Sequence, residues 1–224
     1  MKISVIFPSR NRAKQAYDTF WNWRGKSDLK NEIEYILCWD EDACEEYYRE
    51  FFYEDSIISI CLRPNKSAIE AINEGAKIAT GDLFVIISDD TDCPENWDTL
   101  LLEALEGKSD FCAKTDDGLQ PTLITMPIMD RTYYERYGYV YYNGYSHMFC
   151  DQELTAVALM TGKYIKLPLK FEHLHYSTGK SPKDEINVKN DLTWKQGENL
   201  FNERLKTNFG ITEPIMAYSD IKWR

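Results

Sequence analysis

The sequence predicts an α/β fold built on a mainly parallel central sheet, and three observations carry that expectation. Short apolar runs alternate four times with stretches of helical periodicity between residues 3 and 105, the pattern of strands joined by crossover helices. The chain has 224 residues, enough to bury roughly 70% of its unfolded surface in a core. Its composition is 43% hydrophobic and 28% charged, with 15 Tyr and 6 Trp, which is that of a folded globular protein.

The elements follow in order. Residues 3–7 are a short apolar run ended by Pro8-Ser9-Arg10-Asn11, a buried strand feeding a loop. Residues 12–23 place Ala16, Phe20 and Trp23 on one helix face. Ile33, Tyr35, Ile36 and Leu37 form a second strand that runs into Trp39-Asp40-Glu41-Asp42, with a short acidic helix over about 42–53 and a third strand over 57–62. Ala68, Ile72 and Ala76 recur at i, i+4, a helix over 66–79 that Thr80-Gly81-Asp82 stops. Leu83 to Ile87 is a fourth strand ending in Ser88-Asp89-Asp90, and Pro94 opens a helix to about Leu105. The second half is less regular. It reads as a strand at 123–126, a short helix at 130–137 and a helix at 151–161 stopped by Gly162. A strand from Tyr164 to Phe171, a loop over 176–184 and a polar helix over 186–206 complete it. No repeat or linker interrupts the chain, so a single domain over 1–224 is expected.

The net charge of −11 repels phosphate backbones and argues against a nucleic-acid partner. The six cysteines include no C-x-x-C pair and lie mostly beside apolar residues, which reads as reduced thiols in a cytoplasmic protein. The first apolar run stops at Pro8, too short for a secretory h-region, and no stretch approaches the ~20 apolar residues of a membrane span.

Three polar clusters fall at the carboxyl ends of predicted strands: Pro8-Ser9-Arg10, Asp40 with Asp42, and Asp89 with Asp90. Ligands of open α/β sheets bind at such ends. Carboxylates there suit a hard divalent cation shared with diphosphate oxygens, although a strand followed by Asp-Asp-Thr also makes an ordinary turn or helix cap. Residues 65–82 then read Asn-Lys-Ser-Ala-Ile-Glu-Ala-Ile-Asn-Glu-Gly-Ala-Lys-Ile-Ala-Thr-Gly-Asp. This stretch resembles the N-x-G-x-x-x-A-R-N-x-G-x-x-x-A-x-G-D pattern of family 2 glycosyltransferases. Asn65, Ala71, Asn73, Gly75, Ala79, Gly81 and Asp82 fall in register, while Ser67 and Ile72 depart from it. Ser88-Asp89-Asp90 stands where the family carries D-x-D.

The resemblance implies a GT-A fold, nucleotide-diphospho-sugar transferase and Rossmann-like, with a donor half at 1–110 and an acceptor half with a C-terminal helix at 111–224. It implies sugar transfer from a UDP- or GDP-linked donor, with Mn²⁺ or Mg²⁺ and with inversion. The loop Pro8-Ser9-Arg10-Asn11-Arg12 would hold the donor, Arg10 or Arg12 meeting the diphosphate. Asp40, with Asp42 behind it, would face the base, and Lys66, Ser88 and Asp89 would approach the donor. Asp90 would be the main metal ligand, because Ser88 replaces the first acid of the motif. Cys150-Asp151-Gln152-Glu153-Leu154, with Gly162 beyond it, resembles the family's E-D-x-x-L segment. That makes Asp151 the expected general base and Glu153 the runner-up, with a helix cap as the plain role for Asp151.

His173 and His175, i and i+2 on a strand end, would share a face. A late His completes the metal site in several GT-A enzymes, so either would join Asp90; an ordinary hydrogen-bonded pair is the alternative. Tyr142, Tyr145 and His147 are candidates for an acceptor pocket. Rival readings are a sugar-phosphate nucleotidyltransferase, which would want a glycine-rich first loop, and a non-catalytic binding module on the same fold. No G-x-G-x-x-G follows the first strand, against a dehydrogenase. The acceptor is left open among glycans, lipids, small molecules and modified nucleic-acid bases.

Overall fold

The computed structural model describes residues 1–28, 30–40, 45–51, 57–62 and 67–223. Asp42, Asn65 and Lys66 lie outside the described residues. Strand β1 (Ile3–Ser9) is buried along nearly its whole length, as its mostly apolar run requires of a strand covered on both faces. It pairs in parallel with β2 (Ile33–Asp40) on one side and with β4 (Leu83–Ile86) on the other. Strand β3 (Ile57–Leu62) adds in parallel to β2. Helix α1 (Ala13–Gly25) buries Ala13, Ala16, Phe20 and Trp23 against one face. Helix α2 (Glu45–Phe51) follows β2, and helix α3 (Ala68–Ile78) covers the opposite face. Ser67 caps α3 by accepting the N–H of Glu70 at 3.1 Å.

The motif glycines are packing positions. A Cβ at Gly75 would sit 2.6 Å from the Cys38 sulfur and 2.8 Å from an Ile6 methyl. At Gly81 it would meet the backbone of Ser4 and Lys2 within 3 Å. Only glycine lets α3 and the turn after it lie this close to β1 and β2.

Beyond β4, a short strand β5 (Thr91–Asp92) precedes helix α4 (Trp97–Ala104). Strands β6 (Cys112–Asp116) and β7 (Ile128–Asp130), helices α5 (Arg131–Tyr137) and α6 (Cys150–Met160), and strand β8 (Tyr164–Lys170) follow. The main sheet has seven strands in the order β3-β2-β1-β4-β7-β6-β8, with β7 antiparallel to both its neighbours. A two-stranded sheet of β5 with β9 (Glu172–His173) clips the end of β8 to the turn after β4.

Three expectations need correction. The strand expected at 123–126 lies instead at Ile128–Asp130. Pro127 offers no donor, and the Ile124 N–H is given to the Thr155 hydroxyl of α6 at 2.9 Å rather than to a strand. Strand β6 escapes the apolar pattern because Lys114 and Asp116 interrupt it. The single helix expected over 186–206 is two, α7 (Glu185–Asp191) and α8 (Trp194–Leu205). Asp184 and Asn187 form a reciprocal capping box that starts the first. Thr193 turns its hydroxyl back to the Asn190 carbonyl at the break. The described cysteines are free thiols, and no helix is long and apolar enough to cross a membrane among the described residues.

Candidate functional site

Because β1, β2 and β4 run in parallel, the loops that leave them emerge at one edge of the sheet. The loop after β1 turns at Asn11, whose φ of 54° lies in the left-handed region that Asn tolerates. That turn brings three side chains back over the sheet edge. Arg10 pairs with Asp40 at 2.9 Å. The Ser9 hydroxyl lies 2.7 Å from the Tyr48 hydroxyl and donates to Asp89 at 3.3 Å. The Arg12 guanidinium reaches Asp89 at 2.9 Å and Asp184 at 2.7 Å. Both arginines expected at a diphosphate therefore already hold carboxylates, and Arg12 ties the first loop to the cap of α7.

The two acids after β4 have separate environments. Asp89 is buried, and burial pushes its carboxyl up to about 6 against the pull of Arg12 and Ser9. Its backbone carbonyl accepts the Thr19 hydroxyl at 2.8 Å. Asp90 points the other way. One of its oxygens accepts the Ser88 hydroxyl at 2.5 Å and lies 3.2 Å from Nε2 of His173. Burial alone would raise the Asp90 carboxyl; His173, Ser88 and Arg12 outweigh it and hold the group at about 2. Burial likewise pulls the His173 ring down, and Asp90 overrides it and raises the ring above its ordinary value. The pairing of β5 with β9 sets this geometry, since Thr91 lies opposite His173 and the Leu174 N–H donates to the Asp90 carbonyl at 2.7 Å.

This pair fits a divalent cation in part. Two donors 3.2 Å apart can share one ion whose bonds are about 2.1 Å. Nδ1 of His173 is buried without a hydrogen-bond partner among the described residues, so the ring lacks the outer hydrogen bond that usually orients a metal-binding histidine. Among the described residues no three His, Cys, Asp or Glu side chains converge as a complete ligand set. Any ion here would complete its shell with phosphate oxygens and water, the usual habit of Mg²⁺. His175 does not share a strand face with His173: β9 ends at His173, and Nδ1 of His175 caps the next turn by accepting from Ser177 N–H at 3.2 Å. The two rings still lie 5.1 Å apart. His147 also sits within electrostatic reach of His173, His175, Asp90 and Asp191, and burial pushes its ring below the ordinary value.

Asp151 lies in the first turn of α6, whose N-cap is Phe149 with φ of 73°. Asp151 is thus not the cap; its carboxylate accepts the Gln152 N–H at 2.9 Å. Burial raises its carboxyl. Glu153 is fully engaged: Arg204 binds both its oxygens at 2.7–2.9 Å and the Tyr145 hydroxyl donates to it at 2.7 Å. Tyr142 packs beneath the Arg204 guanidinium, 3.4 Å from the ring centre. Tyr142 and Tyr145 therefore belong to a closed network beside a cavity of about 20 Å³, room for roughly one water.

Several contributors were not read from sequence. Asp184 fell in a stretch of loop composition, and Tyr48 on a helix that showed only acidity. Asp117, 1% exposed, gives its carbonyl to the His173 N–H at 3.0 Å, and its carboxylate acts on both His173 and Asp151. Nothing in the Asp116-Asp117 pair distinguishes the buried acid from the exposed one before the fold is known.

With these positions in hand, the chain can be compared with known proteins. The model of the family described as Glycosyl transferase family 2 matches residues 4–156. The chain belongs to this family. No curated protein sequence matches it. Among solved structures it is similar to the mannosyltransferase PcManGT from Pyrobaculum calidifontis, in complex with GDP-Man and Mn²⁺, at a TM-score of 0.60 and 15% identity over 76% of this chain and 56% of that one. It is similar to GalNAc-T7 with UDP, GalNAc and Mn²⁺, at 0.65 and 12% over 77% and 44%. A third is S. aureus TarS 1-349 in complex with UDP, at 0.56 and 17% over 77% and 57%. At these identities the likeness establishes the GT-A fold. The chain spans about half the length of these proteins.

Proposed function

We propose that the protein transfers a sugar from a nucleoside-diphosphate donor to an acceptor hydroxyl, with inversion at the anomeric carbon. The observation that carries this reading is the meeting of Asp90 and His173, far apart in sequence, at the sheet edge where Arg10, Arg12 and Asp40 also gather. Family membership and the UDP- and GDP-containing neighbours support it. Residues 1–110 would form the donor half and 111–224 the acceptor half. Pro8, Ser9 and Arg10 would line the diphosphate, with Asp40 toward the base; Asp42 and Lys66 stay candidates from sequence. Ser88 and Asp89 shape the turn, Asp89 by holding Arg12 in place. Asp90 and His173, with His175 alongside, would hold Mn²⁺ or Mg²⁺, whose chemistry there is to neutralise charge on the departing diphosphate.

Asp151 would take the acceptor proton on its carboxylate as the hydroxyl oxygen attacks. Burial that raises the carboxyl makes it a stronger base than an exposed Asp. Glu153, saturated by Arg204 and Tyr145, anchors α6 instead. The free thiols support a reducing, cytoplasmic setting. The test is calorimetric titration of nucleoside diphosphates with Mn²⁺ and with chelator. Wild type should bind one nucleotide in a metal-dependent way, and Asp90→Ala should lose it. Absence of nucleotide binding under every condition would overturn the reading and leave a non-catalytic module.

A further inference from the structure

We propose that a second cavity, between β6 and β8, is an oxyanion site that holds a phosphate or carboxylate carried by the acceptor. The proposal rests on the transferase reading and names the acceptor's chemistry. The cavity is about 400 Å³ and is lined by Lys114, Asp116, Gln120, Lys166, Pro168 and Lys170 among others. It opens where the parallel register slips, Lys114 pairing with Lys166 but Asp116 with Lys170. That slip spreads the strands and lets their charged side chains surround a hollow.

Three lysines face one carboxylate here, in a chain whose net charge is −11. The imbalance is relieved only in part within the protein. Lys166 is exposed and makes no ion pair among the described residues. Lys170 meets Glu172 at 2.9 Å, but this is an exposed pair of the kind an incoming anion displaces at little cost. Asp116, the one acid of the lining, already accepts the Gly118 N–H at 3.0 Å. Lys114 is buried to 2% exposure, with its ammonium 3.1 Å from the Thr115 carbonyl and 3.7 Å from Asp117. A buried ammonium with one neutral acceptor and one distant carboxylate is under-compensated, and burial accordingly pulls its pKa down.

The cavity also lies in the right place. Cys112 and Tyr164 belong to the core beneath α6, and Lys114 and Lys166, two residues along, point to the same sheet face. That face carries helix α6, whose first turn holds Asp151. The wall between cavity and site is the turn 116–120. Asp116 faces the cavity, while Asp117 holds the His173 backbone and acts electrostatically on Asp151. An acceptor whose anion lay among the lysines would reach over this turn with its hydroxyl toward Asp151.

The test has two arms. The full chain, labelled with ¹⁵N, is titrated with inorganic phosphate and followed by amide shifts. Saturable movement of amides in 114–121 and 164–170, lost in the double variant Lys166→Gln/Lys170→Gln, is expected. Shifts confined to 8–12 and 88–90, or none, overturn the site. The second arm measures transfer to matched phosphorylated, carboxylated and neutral sugars. Anionic acceptors should be preferred, the better of the two identifying the group, and the double variant should raise their KM by roughly tenfold or more with kcat little changed. Equal use of anionic and neutral acceptors by the wild type, or an unchanged KM for anionic acceptors in the double variant, overturns the acceptor assignment. Nucleoside-diphosphate binding is measured alongside: its absence in wild type defeats the transferase reading, whereas the phosphate shifts judge the cavity independently.

Discussion

Two carboxylates two positions apart on α6 make opposite commitments. Asp151 keeps its charge in a confined place with one backbone donor, whereas Glu153 spends both oxygens on Arg204 and Tyr145. Asp151→Asn should lower turnover by about 10²–10⁴-fold while leaving nucleotide binding intact. A base must be ionised to accept a proton, and burial raises this carboxyl. The acid limb of kcat should therefore lie at higher pH than for an ordinary Asp, turnover rising with pH through it. Glu153→Gln should instead destabilise the fold by about 2 kcal/mol, read as a lowered Tm, with turnover of the folded fraction nearly unchanged. A lost turnover in Glu153→Gln would reverse the two roles. Sequence pattern put Asp151 ahead of Glu153 by position but had no view of Arg204, which arrives from α8 and occupies Glu153.

At the scale of elements, the motif that made the family legible is mostly about packing. Asn73 donates to the Tyr141 carbonyl and the Asn143 side chain, and accepts the N–H groups of Val140 and Tyr141. It pins the loop before α6 to α3, so a residue of the family motif positions the approach to α6. Gly75 lets the same helix approach the sheet. Gly75→Ala should cost about 2 kcal/mol by overpacking against Cys38 and Ile6, a Tm fall of roughly 5 °C for a chain of this size. An unchanged Tm would show that α3 can shift away freely. The parallel half was readable because apolar residues dominate each of its strands. Strand β6 was not, since Lys114 and Asp116 serve the cavity, and local charge hid a strand that only tertiary pairing specifies.

For the whole molecule, acid sensitivity concentrates where the chain first closes on itself. Glu34 receives the Ser4 and Thr80 hydroxyls, the Thr80 and Gly81 N–H groups and the Lys2 ammonium. Burial would raise its carboxyl, but these donors outweigh it and hold the group at about 2 against an ordinary 4.5. A carboxyl depressed on folding stabilises above its unfolded pKa, and that contribution is lost as pH falls from about 4.5 through 2. Glu34→Gln should lower Tm at neutral pH and flatten its fall over that window; a parallel curve would show that other acids control it. The polar groups at the ends of β1, β2 and β4 could be assigned to one sheet edge from sequence because parallel topology leaves them no other place. The C-terminal contributors, His173 and Asp184 above all, depend on β9 and α7 folding back, which no local pattern encodes.

Among the described residues the sheet ends on one side at β8, whose outer backbone no other strand of the main sheet covers. Lys166, Pro168 and Lys170 alternate along it. A proline there withholds an N–H that a docking strand would need, and two like charges on one face of a bare edge repel a second copy of themselves. The residues that line the cavity thus also guard against chain-to-chain sheet extension, and replacing both lysines would leave the molecule more prone to self-association at high concentration.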